Sequence, residues 1–179
     1  MSDSPGTDRD SAGNRDADQI DNTITEVIDT LKHQPGALLP ILHGIQARLG
    51  YVPAAAVPAI ARALKQTRAE IHGVISFYHD FRERPPGRHL LRLCRAEACQ
   101  ARGAGVLEAH VKQVLGLDYH QTTADGEFSL EPVYCLGNCA CGPSLRIDNH
   151  SGSSILGRVD AERFDQLVEA LTRVAVEVR

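Results

Sequence analysis

The sequence predicts an α+β protein: an N-terminal helical bundle over 20–84, followed over 88–179 by an α/β domain with a small mixed sheet. Three observations lead there. Apolar residues recur at helical spacing through the first part, and the segment Arg84-Pro85-Pro86-Gly87 then breaks the pattern. Beyond it the rhythm becomes strand, helix, strand, strand, strand, helix in about 90 residues, the pattern of helices packed on a compact sheet.

Residues 1–19 are Asp, Ser, Gly and Asn with almost nothing to bury, and are expected to be a disordered acidic tail. Six Asp against two Arg within residues 1–22 carry the whole net charge of −4, which leaves 17 acidic and 17 basic side chains in 23–179. Ile20, Ile24, Val27, Ile28 and Leu31 then fall on one helical face. Leu38, Leu39, Ile41, Leu42, Ile45 and Leu49 do the same over Ala37 to Leu49, and Gly50 stops that helix. Pro53 opens a third through Val57, Ile60, Ala61 and Leu64, and Thr67 with Glu70 forms a capping box for a short fourth. His33, His43, His72 and His79 are scattered singly and read as surface or hydrogen-bonded residues rather than ligands.

In the second part, His89 to Leu93 reads as a strand. Cys99 to Leu117 reads as one helix with Val106, Leu107, Val111, Val114 and Leu115 on its buried side. Phe128 to Tyr134 alternates as a strand after the Asp125-Gly126 turn. Ser144 to Ile147 and Ser153 to Leu156 form a hairpin about Asn149 to Gly152, and Asp160 caps a last helix through Phe164, Leu167, Val168 and Leu171.

Composition excludes several classes. Aromatics are 4% with no Trp, and the net charge is negative, so neither base stacking nor phosphate binding is expected and no nucleic-acid partner follows. No apolar run approaches the roughly 20 residues that cross a bilayer, and the N-terminus lacks the apolar core of a secretory signal. The expected location is therefore the reducing cytoplasm, away from membranes, where five cysteines are poor disulfide candidates.

The cysteines are Cys94, Cys99, Cys135, Cys139 and Cys141: a C-x4-C pair, a 35-residue gap, a C-x3-C pair, and one more Cys two positions on. Each pair sits at the end of a predicted strand, and adjacent strands lie about 4.8 Å apart, so two such ends can bring four sulfurs together. Four thiolates at one point repel unless a metal holds them, and zinc and iron–sulfur clusters are the usual solutions. Structural zinc favours tight C-x2-C knuckles, whereas intervals of four and three suit a two-iron core, in which each metal takes two thiolates. Spacing therefore favours [2Fe–2S] over zinc, with zinc the alternative. One cysteine is surplus. Cys141 is assigned that place because Cys135 ends the strand and Cys139 keeps the wider spacing; Cys141 as ligand with Cys139 spare is the other arrangement that spacing allows.

The run Cys135-Leu-Gly-Asn-Cys139-Ala-Cys-Gly-Pro143 resembles the C-L-G-x-C-x-x-x-P signature of thioredoxin-like [2Fe–2S] ferredoxins. Gln46-Ala-Arg-Leu-Gly50-Tyr-Val-Pro53, Gly73-Val-Ile-Ser-Phe-Tyr78 and Thr123-Ala-Asp-Gly-Glu-Phe128 resemble the [2Fe–2S] subunit beside the NADH-binding flavoprotein of respiratory complex I. The likeness runs from about residue 22 to 175 and implies a thioredoxin-like domain with one [2Fe–2S] cluster. Within the superfamily, Cys94-Arg-Ala-Glu-Ala-Cys99-Gln-Ala-Arg-Gly103 looks most like the gamma subunit of soluble NAD-dependent formate dehydrogenases. The counterparts in complex I and in NAD-reducing hydrogenases are close competitors.

The resemblance implies a ligand set of Cys94, Cys99, Cys135 and Cys139. It implies partners too: a flavoprotein subunit carrying FMN and NAD, and a molybdenum- or tungsten-containing formate-oxidising subunit. The helical domain, with apolar helices and no chemistry of its own, is expected to dock the flavoprotein, and the chain alone is expected to transform no substrate. The sequence departs from the family's pattern at Tyr134, where an acidic residue often precedes the third Cys, and at Cys141. No Gly-rich dinucleotide fingerprint and no G-x-S-x-G elbow is present. Backbone N–H groups of 95–98 and 136–138, and the N-terminus of the helix from Cys99, are expected to point positive potential at the sulfurs. Arg95, inside the first cysteine loop, is expected to face a partner or to offset cluster charge. It belongs to a cluster with Arg82, Arg84, Arg88, Arg92 and Arg102 around the first cysteine pair, of which Arg82 and Arg84 read as solvated surface. The other classes considered are a free-standing ferredoxin, against which the helical domain argues, and a zinc-stabilised interaction module.

Overall fold

A computed structural model describes the backbone of residues 9–177 and the side chains of 17–173. The chain divides between Pro85 and Pro86 into two units.

The first unit holds α1 (Arg9–Leu31), α2 (Leu38–Leu49), α3 (Ala56–Leu64) and α4 (Arg68–Phe77). The expected disordered tail covers residues 1–19; 1–8 lie outside the described residues, and 9–19 are helical. The helix runs past the apolar stripe because no Pro falls between Pro5 and Pro35, and extending a helix from a packed half costs far less than nucleating one. The Ile24, Val27 and Ile28 stripe packs against Ile41, Leu42 and Ile45 of α2, Ile60 of α3, and Ile71 and Ile75 of α4. The capping box of α4 forms as read: the Thr67 N–H donates to Glu70 Oε2 at 2.7 Å, and the Glu70 N–H to Thr67 Oγ1 at 3.2 Å. Gln46, buried in this core, donates to the Asp80 carbonyl and accepts from the Arg82 N–H, each at 2.8 Å, fastening the segment after α4 onto α2. His33, His43, His72 and His79 are all exposed.

The second unit is a five-stranded mixed sheet in the order β2-β3-β1-β4-β5. Its strands are β1 (His89–Cys94), β2 (Gln121–Thr122), β3 (Phe128–Val133), β4 (Ser144–Asn149) and β5 (Gly152–Gly157). β1 and β3 are parallel, and every other pairing is antiparallel. Period-2 alternation puts Leu91 and Leu93 on one face with Leu130, Ile147 and Leu145 beside them in register. That face packs against Leu107 and Val111 of α6 (Ala104–Leu115) and Phe164 of α7 (Ala161–Glu177). The other face carries polar side chains such as Arg92, Glu131, Arg146 and Asp148, with Arg92 and Arg146 both ion-paired to Asp148.

The structure corrects the single helix expected from Cys99 to Leu117. Glu97–Gln100 forms one turn, α5, and α6 starts anew at Ala104 after Gly103, whose φ of 94° lies in the left-handed region that glycine alone takes freely. The buried stripe of α6 is Ala104, Leu107, Val111. Val106 and Val114, expected inside, are 77% and 44% exposed: at about 100° per residue Val106 falls well off that stripe, whereas Val114 keeps its line but lies in the last turn of the helix. The two-residue strand β2 is absent from the sequence reading; its Gln121 and Thr122 carry no apolar alternation to mark it. No helix among the described residues is long and apolar enough to cross a membrane.

His89 starts β1 buried, stacked on Phe128 with ring centroids 5.4 Å apart, and neither ring nitrogen has a hydrogen-bond partner. Burial pushes its pKa down, opposed by the nearby Glu127 carboxylate and reinforced by Arg88 and His150. The folded chain therefore keeps His89 neutral at a pH where the unfolded chain, titrating near the ordinary 6.5, takes up a proton. Stability should fall as pH drops below about 6.5, by at most about 1.4 kcal/mol per pH unit from this residue. His89→Leu should lose less melting temperature than the parent between pH 7 and 5. Parallel pH profiles for the two proteins would rule the effect out.

Candidate metal centre

Five free cysteines lie in the second unit. β1 ends at Cys94, whose register partner on β3 is Val133, two residues before Cys135. Because the strands are parallel, their C-terminal ends coincide, and both cysteine pairs leave the sheet at the same end. The Arg95 N–H donates to the Val133 carbonyl at 2.7 Å and ties the two exits together.

Cys94 and Cys99 are buried side by side. Burial pushes the Cys99 thiol pKa up and the neighbouring Cys94 adds to the rise, while the backbone N–H and hydroxyl of Ser144 hold it down. Cys135 and Cys139 are exposed, with sulfurs 3.6 Å apart. The Gly137 N–H donates to Cys135 Sγ at 3.3 Å and lowers the Cys135 pKa; Cys139 is raised by the adjacent Cys135, and Cys94 lies near enough to contribute. The four thiols thus form two pairs within electrostatic reach of each other. Cys135 has φ 134°, a conformation that residues with a side chain rarely adopt and that clusters at functional sites.

The donor chemistry fits a two-iron cluster. There are four thiols in two pairs, and each pair receives a backbone N–H that favours the thiolate. Cys141 lies beyond the Cys135–Cys139 pair in a short 3-10 turn, and its Cβ faces Gly157 of β5.

The N–H pattern differs in part from expectation. Gly137 lies in the expected 136–138 loop, but the Arg95 N–H is spent on Val133, and the second donor is Ser144, which the sequence did not single out. Ser144 is fully buried, accepts from Asn138 Nδ2 at 3.2 Å, and so connects Cys99 to the second cysteine loop. A serine after a proline at a strand start gives no warning of that role. The helix terminus expected at Cys99 is only the one-turn α5. Arg95 is ion-paired to Glu108 at 3.0 Å, and its guanidinium lies 5.3 Å from the centre of the Tyr119 ring.

Comparison with known proteins agrees with this centre. Residues 24–172 match the model of the thioredoxin-like [2Fe–2S] ferredoxin family, and the chain belongs to that family, whose members carry one [2Fe–2S] cluster. One of the subunits of the NADH-quinone oxidoreductase of Pseudomonas aeruginosa is 37% identical over 66% of this chain and 72% of the relative. The NADP-reducing hydrogenase subunit HndA of Solidesulfovibrio fructosivorans is 30% identical over 76% of this chain and 77% of the relative. Among solved structures, an NAD+-reducing [NiFe]-hydrogenase in the air-oxidized state aligns with TM-score 0.60 at 28% identity. The match covers 76% of this chain but only 23% of that one, so this chain spans about a quarter of the hydrogenase chain it resembles.

Proposed function

We propose that Cys94, Cys99, Cys135 and Cys139 ligate the cluster, and that the chain is the electron-transfer subunit of a cytoplasmic NAD-dependent formate dehydrogenase. In this reading it exchanges single electrons with the FMN of an NAD-reducing flavoprotein subunit, within a complex whose formate-oxidising subunit carries molybdenum or tungsten. The carrying observation is the pairing of Cys94/Cys99 with Cys135/Cys139 at the shared end of two parallel strands. When bound, the cluster supplies storage of one electron delocalised over its core. The chain's own groups do the rest. Buried Cys94 and Cys99 keep water from one side of the site, and the N–H groups of Gly137 and Ser144 spread thiolate charge into the backbone. Exposed Cys135 and Cys139 form the side a partner can approach. Flavin suits such a partner because nicotinamide exchanges electrons in pairs and flavin in ones or twos. The helical unit, with Phe77 75% exposed and Tyr78 stacked edge-on beside it, suits docking of that flavoprotein.

The formate assignment rests on the likeness of Cys94 to Gly103 to the formate dehydrogenase gamma subunit. The second reading, the equivalent subunit of NADH–quinone oxidoreductase or of an NAD(P)-reducing hydrogenase, is favoured by the relatives above. Native complex isolated through a tagged chain distinguishes them. The expected preparation contains FMN and molybdenum or tungsten and reduces NAD with formate. Nickel with hydrogen-dependent NAD reduction, or quinone reductase activity with membrane subunits, would replace the formate assignment and leave the cluster in place.

A further inference from the structure

In the second unit Arg88, Arg92, Arg95, Arg146 and Arg173 are each ion-paired, and Arg163 donates to the Gly157 carbonyl at 2.8 Å. Among the described residues of that unit, Arg102 and Arg158 are the exposed arginines whose guanidinium groups have neither an ion pair nor a hydrogen bond. Both line the same cavity, of about 270 Å³.

The cavity is built rather than incidental. The Arg158 N–H donates to the Cys141 carbonyl at 2.6 Å and the Val159 N–H to the Pro143 carbonyl at 3.1 Å, so the segment before α7 is laced to the segment after the second cysteine pair. Val106, Leu107, Pro143 and Val159 make its walls apolar, and Val106 is the strongly exposed valine of α6. Asp160 also lines it, with its carboxylate engaged by the Arg163 N–H at 2.9 Å as the cap of α7. At Gly142 the wall is one residue thick towards the metal centre: a Cβ there would lie 3.2 Å from Cys99 Sγ and 3.2 Å from Arg102 Cδ.

We propose that this cavity receives a segment of the flavoprotein partner in which an apolar side chain is flanked by a carboxylate. The inference rests on the electron-transfer reading above and adds where the partner touches the cluster domain. Apolar walls reward burial of an alkyl or aromatic group, and two unpaired guanidinium groups call for an anion beside it. A free hydrated anion gains little from the same walls, because entering them costs it water without supplying donors beyond the rim. A partner seated here lies across a single glycine from a cluster cysteine, a short path for an electron.

The test is the affinity of the full cluster-loaded chain for the purified flavoprotein subunit, titrated at low and high salt. Arg102→Glu with Arg158→Glu should weaken binding at least about tenfold at low salt, with a smaller loss at high salt, because rim charges are screened. Val106→Asp should weaken binding at both salt concentrations. Arg102→Lys with Arg158→Lys should retain most of the affinity. All should keep the reduced-state EPR signal of the parent. Unchanged affinity in both the double Glu variant and Val106→Asp overturns the proposal and leaves the subunit reading standing. Failure of the parent chain to bind any flavoprotein removes that reading and the proposal with it. Binding of inorganic phosphate that the double Glu substitution abolishes, with partner affinity intact, would reassign the site to a free anion.

Discussion

Replacing Cys94, Cys99, Cys135 or Cys139 by Ser is expected to abolish or severely perturb the cluster, whereas Cys141→Ser should keep two irons per chain and the reduced-state EPR signal. A serine hydroxyl is a far weaker ligand for iron than a thiolate at neutral pH, since it ionises much less readily. The buried pair should be the more damaging, because Cys94 and Cys99 are almost fully buried and Cys99 is held by Ser144. Cys141 differs by geometry: the Cys135 sulfur is paired at 3.6 Å with Cys139, and the Cys141 Cβ faces Gly157. Iron and sulfide analysis of the five variants, with EPR after dithionite reduction, checks the set. Loss of the cluster in Cys141→Ser with retention in Cys139→Ser would exchange the two residues.

Adding a side chain at Gly157 should have the next largest effect. A Cβ there would lie 2.6 Å from the Cys141 carbonyl oxygen, 2.6 Å from Asn138 Nδ2 and 2.8 Å from the Cys141 Cβ. The nearest obstruction includes backbone, so no rotamer change relieves it, and β5 or the second cysteine loop must move. Gly157→Ala is expected to cost about 3 kcal/mol, the upper part of the range for overpacking, and Gly157→Val more. Asn138 connects that loop to Ser144 and thence to Cys99, so the displacement should reach the ligands. Iron content per chain should therefore fall together with melting temperature. A Gly157→Ala protein with parental iron content and melting temperature would show that the loop yields freely.

The local elements are legible because their signals are local. Thr67 and Glu70 announce α4 within one turn, and Ile41, Leu42 and Ile45 announce α2 by their spacing. Gly103 hides the break between α5 and α6, although a glycine is what a left-handed break requires. The apolar residues on either side keep the helical period, and period alone does not reveal a change of phase. Val106 and Val114 read as buried for another reason: both are apolar, and Val114 also keeps the spacing of Leu107 and Val111, but it lies in the last turn of α6.

The sequence by itself determined the family, the number and spacing of the thiols, and their position at strand ends, since all of these are properties of short stretches of chain. Only the tertiary structure decided that β1 and β3 are parallel neighbours, that Ser144 is the donor to Cys99, and that Gly157 closes on the second cysteine loop. Those are contacts between residues tens of positions apart. An alternating apolar pattern states that a strand has a buried face but not which strand will lie beside it. That choice is made by the helix α6 crossing between β1 and β3 and by the packing of Leu107, Val111 and Phe164 onto the shared face, which holds the two cysteine-bearing ends together.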